Sequence, residues 1–354
     1  MKALKVLLVF AFVFMPFHSA LASGQKTFDH YIPTDIDEDY WAYEELDDFI
    51  TADIIDGYMD EDLNMTVKPD NKITRAQFVK ILVNALGLKN NGAAKAFPDV
   101  KQGDWFFEYV NIASGLGIIN GKDDGTFAPN ANITRDQMTK MIVLAFEKTV
   151  KFPEGTSHTF TDVDPKYWAF DYVNKAAASG IVKGYDTIFK PRNFATRAQA
   201  IVMIHRALQQ EQSHLPSNEE ITKFLKDHII RENRLSESNS VDELVALYKE
   251  NGIGYYIVEG IELAELPMDE EVGQLSIHID DTNLNIQIQS KSDRFVTAKV
   301  TGMVGTFVFK SKDPNFNFDM TVDMDGSYKL KKDSASGKWK IYNYIPYFDE
   351  EELY

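Results

Sequence analysis

Three segments of the chain repeat one another at long range: ITRAQFVKI at 73–81, ITRDQMTKM at 133–141 and ATRAQAIVM at 195–203. Aligning them aligns their surroundings. Trp41, Trp105 and Trp168 stand upstream, 64 and 63 residues apart, while Arg75, Arg135 and Arg197 are separated by 60 and 62. Between each Trp and Arg lies a Gly-marked turn, DIIDGY (53–58), GIINGK (117–122) or GIVKGY (180–185). FPDV (97–100) and FTDV (160–163) precede the later tryptophans, and PTDI (33–36) holds the matching first place. A period near sixty residues makes the unit of folding a supersecondary element too small to bury its own apolar face, so the copies must pack together.

Each unit reads as helix, loop, helix. The first helix is expected near the Trp, with Asp164 as N-cap and Pro165 in the first turn of the third copy. Trp105, Tyr109, Ile112 and Leu116 fall at helical spacing, which predicts the tryptophans in the core. Gly117 and Gly180 sit where a left-handed C-cap is needed, and Asp53 is their substitute in unit one. The loops run to Pro69, Pro129 and Pro191. The second helix opens with Thr74, Thr134 or Thr196, and Gln77, Gln137 or Gln199 three residues later predicts a capping box. The arginine between them opposes the helix macrodipole. Either it pairs with a nearby carboxylate such as Asp99 or Asp162, or its counter-charge comes from a ligand. A helix start also presents free N–H groups to an anion, and aromatic faces stack on sugar rings. The expected architecture is a pseudo-threefold all-α bundle with equivalent grooves.

These residues resemble the S-layer homology domains of bacterial cell-envelope proteins, whose pattern runs F-x-D-V, W-A, G-I-I-x-G, D-G-T-F-x-P and I-T-R-A-E. The second unit matches with FPDV, DW and GIINGKDDGTFAPNANITRDQ, the third with FTDV, YWA, GIVKGY and TRAQ. The resemblance covers residues 30–88, 93–150 and 156–208. It implies one folded unit of three repeats that binds pyruvylated secondary cell wall polysaccharide non-covalently and displays the rest of the protein on the surface, where other surface proteins are further partners. Carried over by residue, it points to Arg75, Arg135 and Arg197, to Trp41, Trp105 and Trp168, and to Asp99, Asp162, Gly57, Gly121 and Gly184. Unit one lacks the Phe of FxDV and carries an acidic loop (Asp60, Glu61, Asp62), and unit three lacks DGTF, so grooves built from those parts are expected to be degenerate.

Residues 1–22 read as a secretory signal: Lys2 and Lys5, an apolar run Leu7–Phe14, and Ala20-Leu21-Ala22 as a cleavage site. The run is too short to cross about 30 Å of hydrocarbon. The chain has no cysteine, which fits exported proteins of Gram-positive bacteria, and carries a formal charge of −17, or −19 without the two leader lysines. Such a field disfavours nucleic acid and anionic membranes as partners. The GKDDGT loop fails as a calcium loop, because Lys122 and Ala131 fall where oxygen ligands are required.

Residues 209–217, QQEQSHLPS, are polar and aperiodic and read as a linker. From 218 to 354 two amphipathic helices, SNEEITKFLKDHIIREN and SVDELVALYKENG, precede an alternating pattern from LSIHID to KWKIYNY. That pattern predicts an α+β domain with an antiparallel, curved meander, and its order is faintly similar to the nuclear-transport-factor-2-like cone. Glu259, Glu262 and Glu265 read as a solvated stripe. His228 and His278 have no partner for a metal site, and no phosphate loop, nucleophile elbow or zinc motif occurs. The expectation is a non-catalytic, wall-anchored surface protein without cofactor or metal. The alternative is a wall-tethered enzyme with its active site in the C-terminal pocket.

Overall fold

The computed structural model describes residues 26–89, 92–153, 160–265, 273–312 and 317–347; the signal read from the sequence lies outside them. Six helices form the first region: α1 (Tyr43–Thr51), α2 (Arg75–Leu86), α3 (Phe107–Gly115), α4 (Arg135–Phe146), α5 (Phe170–Ala178) and α6 (Arg197–Gln209). A two-stranded ribbon, β1 (Tyr58–Met59) with β2 (Met65–Thr66), belongs to the longer loop of unit one. Asp53, Gly117 and Gly180 have φ of 54, 75 and 73° and terminate α1, α3 and α5, as the C-cap reading requires. The first helix of each unit begins two residues after its Trp. Asp164 accordingly caps only the preceding turn, accepting from the Lys166 N–H at 2.7 Å.

The starts of α2, α4 and α6 are tied into a closed ring. Ile73 N–H donates to Ala195 C=O (3.1 Å), Ala195 N–H to Ile133 C=O (2.9 Å), and Ile133 N–H to Ile73 C=O (3.0 Å). Each helix start is also closed by the loop of the next unit. Arg75 and Ala76 donate to Ala131 and Pro129, Arg135 and Asp136 to Asn193 and Pro191, and Arg197 and Ala198 to Asn71 and Pro69, at 2.9–3.0 Å. The same rotation packs α2 on α3, α4 on α5 and α6 on α1. The core inside is continuous, with Phe49, Phe78, Phe127, Phe146, Phe160 and Phe189 fully buried.

The second region consists of α7 (Asn218–Glu237), α8 (Val241–Asn251), α9 (Tyr255–Ala264) and seven strand segments. These are β3 (Gly273–Asp280), β4 (Asn285–Lys291), β5 (Phe295–Thr301), β6 (Val304–Ser311), β7 (Phe318–Asp323), β8 (Gly326–Lys332) and β9 (Trp339–Pro346). They pair as β3-β6-β7 and β4-β5-β8-β9, all antiparallel. Followed along the chain, this is a meander of four strands, the first three bent at 281–284, 302–303 and 324–325. Gly302 makes the bend: its φ is +82°, its N–H donates to Asp325 Oδ1 at 2.8 Å, and a Cβ there would lie 2.3 Å from Asn283 O. The result is an α+β region with a curved sheet, joined to the helical region in a multidomain chain.

The two regions share a core, because Val258, Phe295 and Tyr342 belong to the apolar cluster of the helical bundle. Residues 209–217, read as a linker, begin as the last residue of α6 and are then tied down by hydrogen bonds and an ion pair. Glu211 is fully buried beside Arg294 (2.9 Å), Asp293 accepts from the Ser213 and His214 N–H groups (3.2 and 2.7 Å), and Lys291 Nζ reaches Pro216 C=O (3.0 Å). Local polarity suggested a tether, but long-range partners on the β4–β5 turn fix it.

Candidate functional site

The repeated arginines are buried, with 4–8% of their surface exposed. Arg75 Nε donates to Phe127 C=O (2.8 Å) and Arg135 Nε to Phe189 C=O (2.9 Å). Their guanidinium carbons lie 4.9 and 4.7 Å from the centres of the same Phe rings. Burial lowers the pKa of each guanidinium, opposed in part by Asp99 for Arg75 and by Tyr185 and Asp162 for Arg135. Among the described residues no carboxylate lies within ion-pair distance of any of the three. The salt-bridge alternative is therefore not realised.

Asp99 and Asp162 do something else. Asp99 accepts from the N–H groups of Phe127 and Ala128 (2.9 and 2.7 Å), and Asp162 from those of Phe189 and Lys190 (2.8 and 2.7 Å). Asp35, passed over in the sequence, does the same for Val67 and Lys68 (2.9 and 2.7 Å). In each case the second residue is left-handed, with φ of 50, 57 and 60° at Lys68, Ala128 and Lys190. That conformation costs a non-glycine residue about 1–2 kcal/mol, and the paired charge-assisted bonds offset it. Asp99 and Asp162 thus set the loops whose carbonyls hold Arg75 and Arg135. Gly121 and Gly184 are likewise packing positions: a Cβ would come within 2.5 and 2.2 Å of Phe97 and Phe160, the Phe of each FxDV. At Gly57 it would meet Met65 Sδ at 2.1 Å.

The first three N–H groups of each unit's second helix are not free for an anion. The first two N–H groups of α2, α4 and α6 are taken by the neighbouring loop. The third is taken by Thr74, Asp136 or Thr196. The capping box forms in α2 and α6 but not in α4. There Asp136 accepts from Thr134 and from the Gln137 N–H, and the freed Gln137 Oε1 accepts from Arg75 at 3.1 Å. Side chains are therefore the main donors left to an anion at this pole.

Trp41, Trp105 and Trp168 are 50–56% exposed rather than buried. They precede the helices, so the periodicity that put them in the core does not apply to them. Because helices pack across units, the helix of Arg75 lies against the one that follows Trp105, that of Arg135 against the one after Trp168, and that of Arg197 against the one after Trp41. Lys140 of α4 lies 5.7 Å from the Trp168 ring and 5.6 Å from that of Tyr172, and Lys80 of α2 lies 6.0 Å from that of Tyr109. A cleft of about 430 Å³ opens between Asp162, Asp164, Tyr167 and Lys190–Asn193. Its counterpart on unit one, about 300 Å³, is lined by Thr34–Asp37 and Tyr40. Sequence reasoning missed Tyr167, Tyr185, Lys190 and Arg192, although the aligned repeat columns hold them.

The exchange between units also relocates the degenerate groove. The divergent loop of unit one packs on α6, so its irregularity falls on Arg197 and not on Arg75. Val67 stands where the other loops have Phe, and Arg197 turns to Asp56 C=O (2.9 Å) over Tyr58 (5.5 Å). Its Nε is buried without a hydrogen-bond partner among the described residues.

The C-terminal interior is filled. His228, with no exposed side-chain surface, meets the Tyr256 hydroxyl (2.7 Å), Asn251 (3.2 Å) and Glu232 (3.5 Å). Tyr248 and Tyr328 pack beside Tyr256. Glu259 is not part of a solvated stripe: burial, then the charges of Glu232 and Glu262, push its pKa up to about 7 against the Tyr255 hydrogen bond. Glu262 and Glu265 are exposed. His278 is also exposed and pairs with Glu237 at 2.9 Å. Among the described residues no cluster of three metal-ligating side chains occurs, and no helix is long and apolar enough to cross a membrane.

The S-layer homology domain family model matches residues 96–139 and 159–201. The cellulosome-anchoring protein of Acetivibrio thermocellus is 32% identical over 150 residues, 40% of this chain and 33% of that one. The surface-layer 125 kDa protein of Lysinibacillus sphaericus is 32% identical over 174 residues, 48% of this chain and 14% of that one. An amylopullulanase of Thermoanaerobacterium thermosulfurigenes is 32% identical over 177 residues, 49% and 9% of the two chains. The matches thus span a third or less of these relatives. Residues 96–139 and 159–201 match S-layer homology domains, and these matches indicate a secreted cell-surface protein.

Proposed function

We propose that residues 26–209 form a pseudo-threefold anchor for pyruvylated secondary wall polymer, and that the C-terminal region is a non-catalytic binding or assembly module. S-layer homology domains anchor proteins to the wall without a covalent bond. The observation that carries the finer reading is the set of buried arginines without a carboxylate partner, each on a helix that packs against the helix following a half-exposed tryptophan of the next unit. A buried, unpaired cation is costly, and a ketal-linked carboxylate would supply the missing charge through charge-assisted bonds. The closed ring of helix starts supports the threefold arrangement.

The rival reading, a wall-tethered enzyme, draws on relatives such as the amylopullulanase. The filled tyrosine, histidine and carboxylate cluster in the C-terminal interior favours the non-catalytic reading. Pull-down with purified wall sacculi tests the anchor: the chain should bind intact sacculi and lose them once secondary polymer is stripped. Equal binding to stripped sacculi would sink the proposal.

A further inference from the structure

The three grooves share one plan but not one charge. In the groove of Arg135 the rim carries Lys190 and Arg192. The same two positions are Ala128 and Asn130 in the groove of Arg75, and Lys68 and Asp70 in that of Arg197. Five residues after each arginine stand Lys80, Lys140 and Val202. The Arg135 groove thus collects four cations around its aromatic walls. Arg135 lies 4.7 Å from the Phe189 ring centre, Lys190 Nζ 4.2 Å from that of Tyr185, Lys140 Nζ 5.7 Å from that of Trp168, and the Arg192 guanidinium 5.9 Å from that of Tyr167.

None of these four makes an ion pair among the described residues. Lys80, by contrast, is drawn to Asp56 at 3.7 Å. The acids of the Arg135 groove are already engaged. Asp162 and Asp164 accept backbone N–H groups, and Asp136 accepts from Thr134, Gln137 and Tyr167. In the Arg197 groove Asp70 replaces Arg192 and accepts from Tyr40, beside Asp35 and Asp37. Two of the four, Lys190 and Arg192, line the cleft of about 430 Å³ together with Asp162 and Asp164, whose oxygens are already taken by backbone N–H groups, so the two cations remain available to an anion.

The geometry points to the groove between α4 and the third unit as the principal polymer site, holding two negative groups of the glycan at once. Arg135 meets the first on the groove floor, and Lys190 with Arg192 meets the second, carried by a neighbouring sugar, on the rim. Tyr167 and Trp168 supply ring faces between them. This assignment rests on the wall-anchoring reading and adds to it which groove dominates and how many charges it reads.

The other repeats provide the test variants. Lys190→Ala with Arg192→Asn installs the residues of unit two, and Ala128 already occupies the left-handed conformation in that loop. Arg192→Asp installs the charge of unit one at an exposed position. In sacculus pull-downs with the full chain, each should weaken binding about tenfold and flatten its salt dependence. Lys68→Ala, in the Arg197 groove, should change binding less than about twofold. Wild-type binding by the double variant, or an equal loss with Lys68→Ala, overturns the assignment. The anchoring reading fails separately, if wild type binds stripped and intact sacculi alike. Mild-acid removal of ketal carboxylates and phosphatase treatment of the sacculi distinguish the two sources of the second charge. One of them should erase the difference between wild type and Arg192→Asp, and a difference that survives both overturns the two-charge claim.

Discussion

The two ends of the same three helices meet opposite electrostatic environments. At their starts Arg75, Arg135 and Arg197 are buried beside open grooves without an acid partner. Toward their ends, where the C-terminal region docks, charges are matched within the chain. Asp48 of α1 holds Lys329 Nζ at 2.6 Å, His205 Nε2 at 2.9 Å and the Tyr342 hydroxyl at 3.1 Å. Arg294 meets Glu211 at 2.9 Å. Gly87, at the end of α2, sits so close to Ser334 that a Cβ would lie 2.3 Å away. The difference teaches where charge is matched inside the chain: internal counter-ions mark the sealed end, and among the described residues the arginines at the other, proposed binding end have none.

The sharpest way to break this contrast is Lys329→Ala, which leaves Asp48 buried with only His205 and the Tyr342 hydroxyl as partners among the described residues. A loss of about 3–5 kcal/mol is expected, read as a drop in melting temperature. The same node predicts an acid limb. Burial alone would raise Asp48, but Lys329 and His205 outweigh it and hold the carboxyl at about 2. Its contribution is therefore complete above the unfolded value near 3.8 and lost as pH falls from there toward 2. Asp48→Asn should remove that limb from a stability–pH profile.

Next comes Arg135→Ala at the open end, expected to cost about 1–3 kcal/mol through the orphaned Phe189 carbonyl and the emptied ring contact, and to weaken sacculus binding. Because Arg135 is buried, its alanine variant cannot separate binding from stability. Glu259→Gln should stabilise by about 1 kcal/mol at pH 8 and by little at pH 4. Its folded pKa of about 7 lies above the ordinary glutamate value of 4.5, so stability falls as pH rises between them. Smallest in stability is Trp168→Ala, within about 0.5 kcal/mol because the ring is half exposed. Its effect should appear in wall binding, and a large fall in melting temperature would show that the tryptophan belongs to the packing after all.

What the sequence disclosed was local. The left-handed C-caps at Asp53, Gly117 and Gly180 and the boxes of α2 and α6 depend on residues within a turn, and they are found as read. The alternation from Leu275 onward gave the meander but not its bends, since Gly302 acts through Asn283 and Asp325 on other strands. The aspartates of FxDV were legible as repeated residues but not as loop clamps, because their partners lie 27–33 positions away. The box in α4 failed for a visible reason, Asp136 standing where the other copies have alanine. Arg75 and Arg197 exchanged apparent reliability because a repeat alignment compares units, whereas each groove is assembled from two.

The ring of Ile73, Ala195 and Ile133 has a consequence for the number of repeats. An open solenoid can gain or lose a unit at either end, since each repeat needs only a neighbour and a cap. Here every helix start is closed by a loop from the following unit, and the last is closed by the first. The arrangement is a cyclic trimer written on one chain, with heterologous contacts that close after three steps. Dropping one copy would leave a helix start unmet and a loop unused, and adding a fourth would open the circle. Three is therefore a quota fixed by closure, which binds the fate of the regular second and third copies to that of the divergent first.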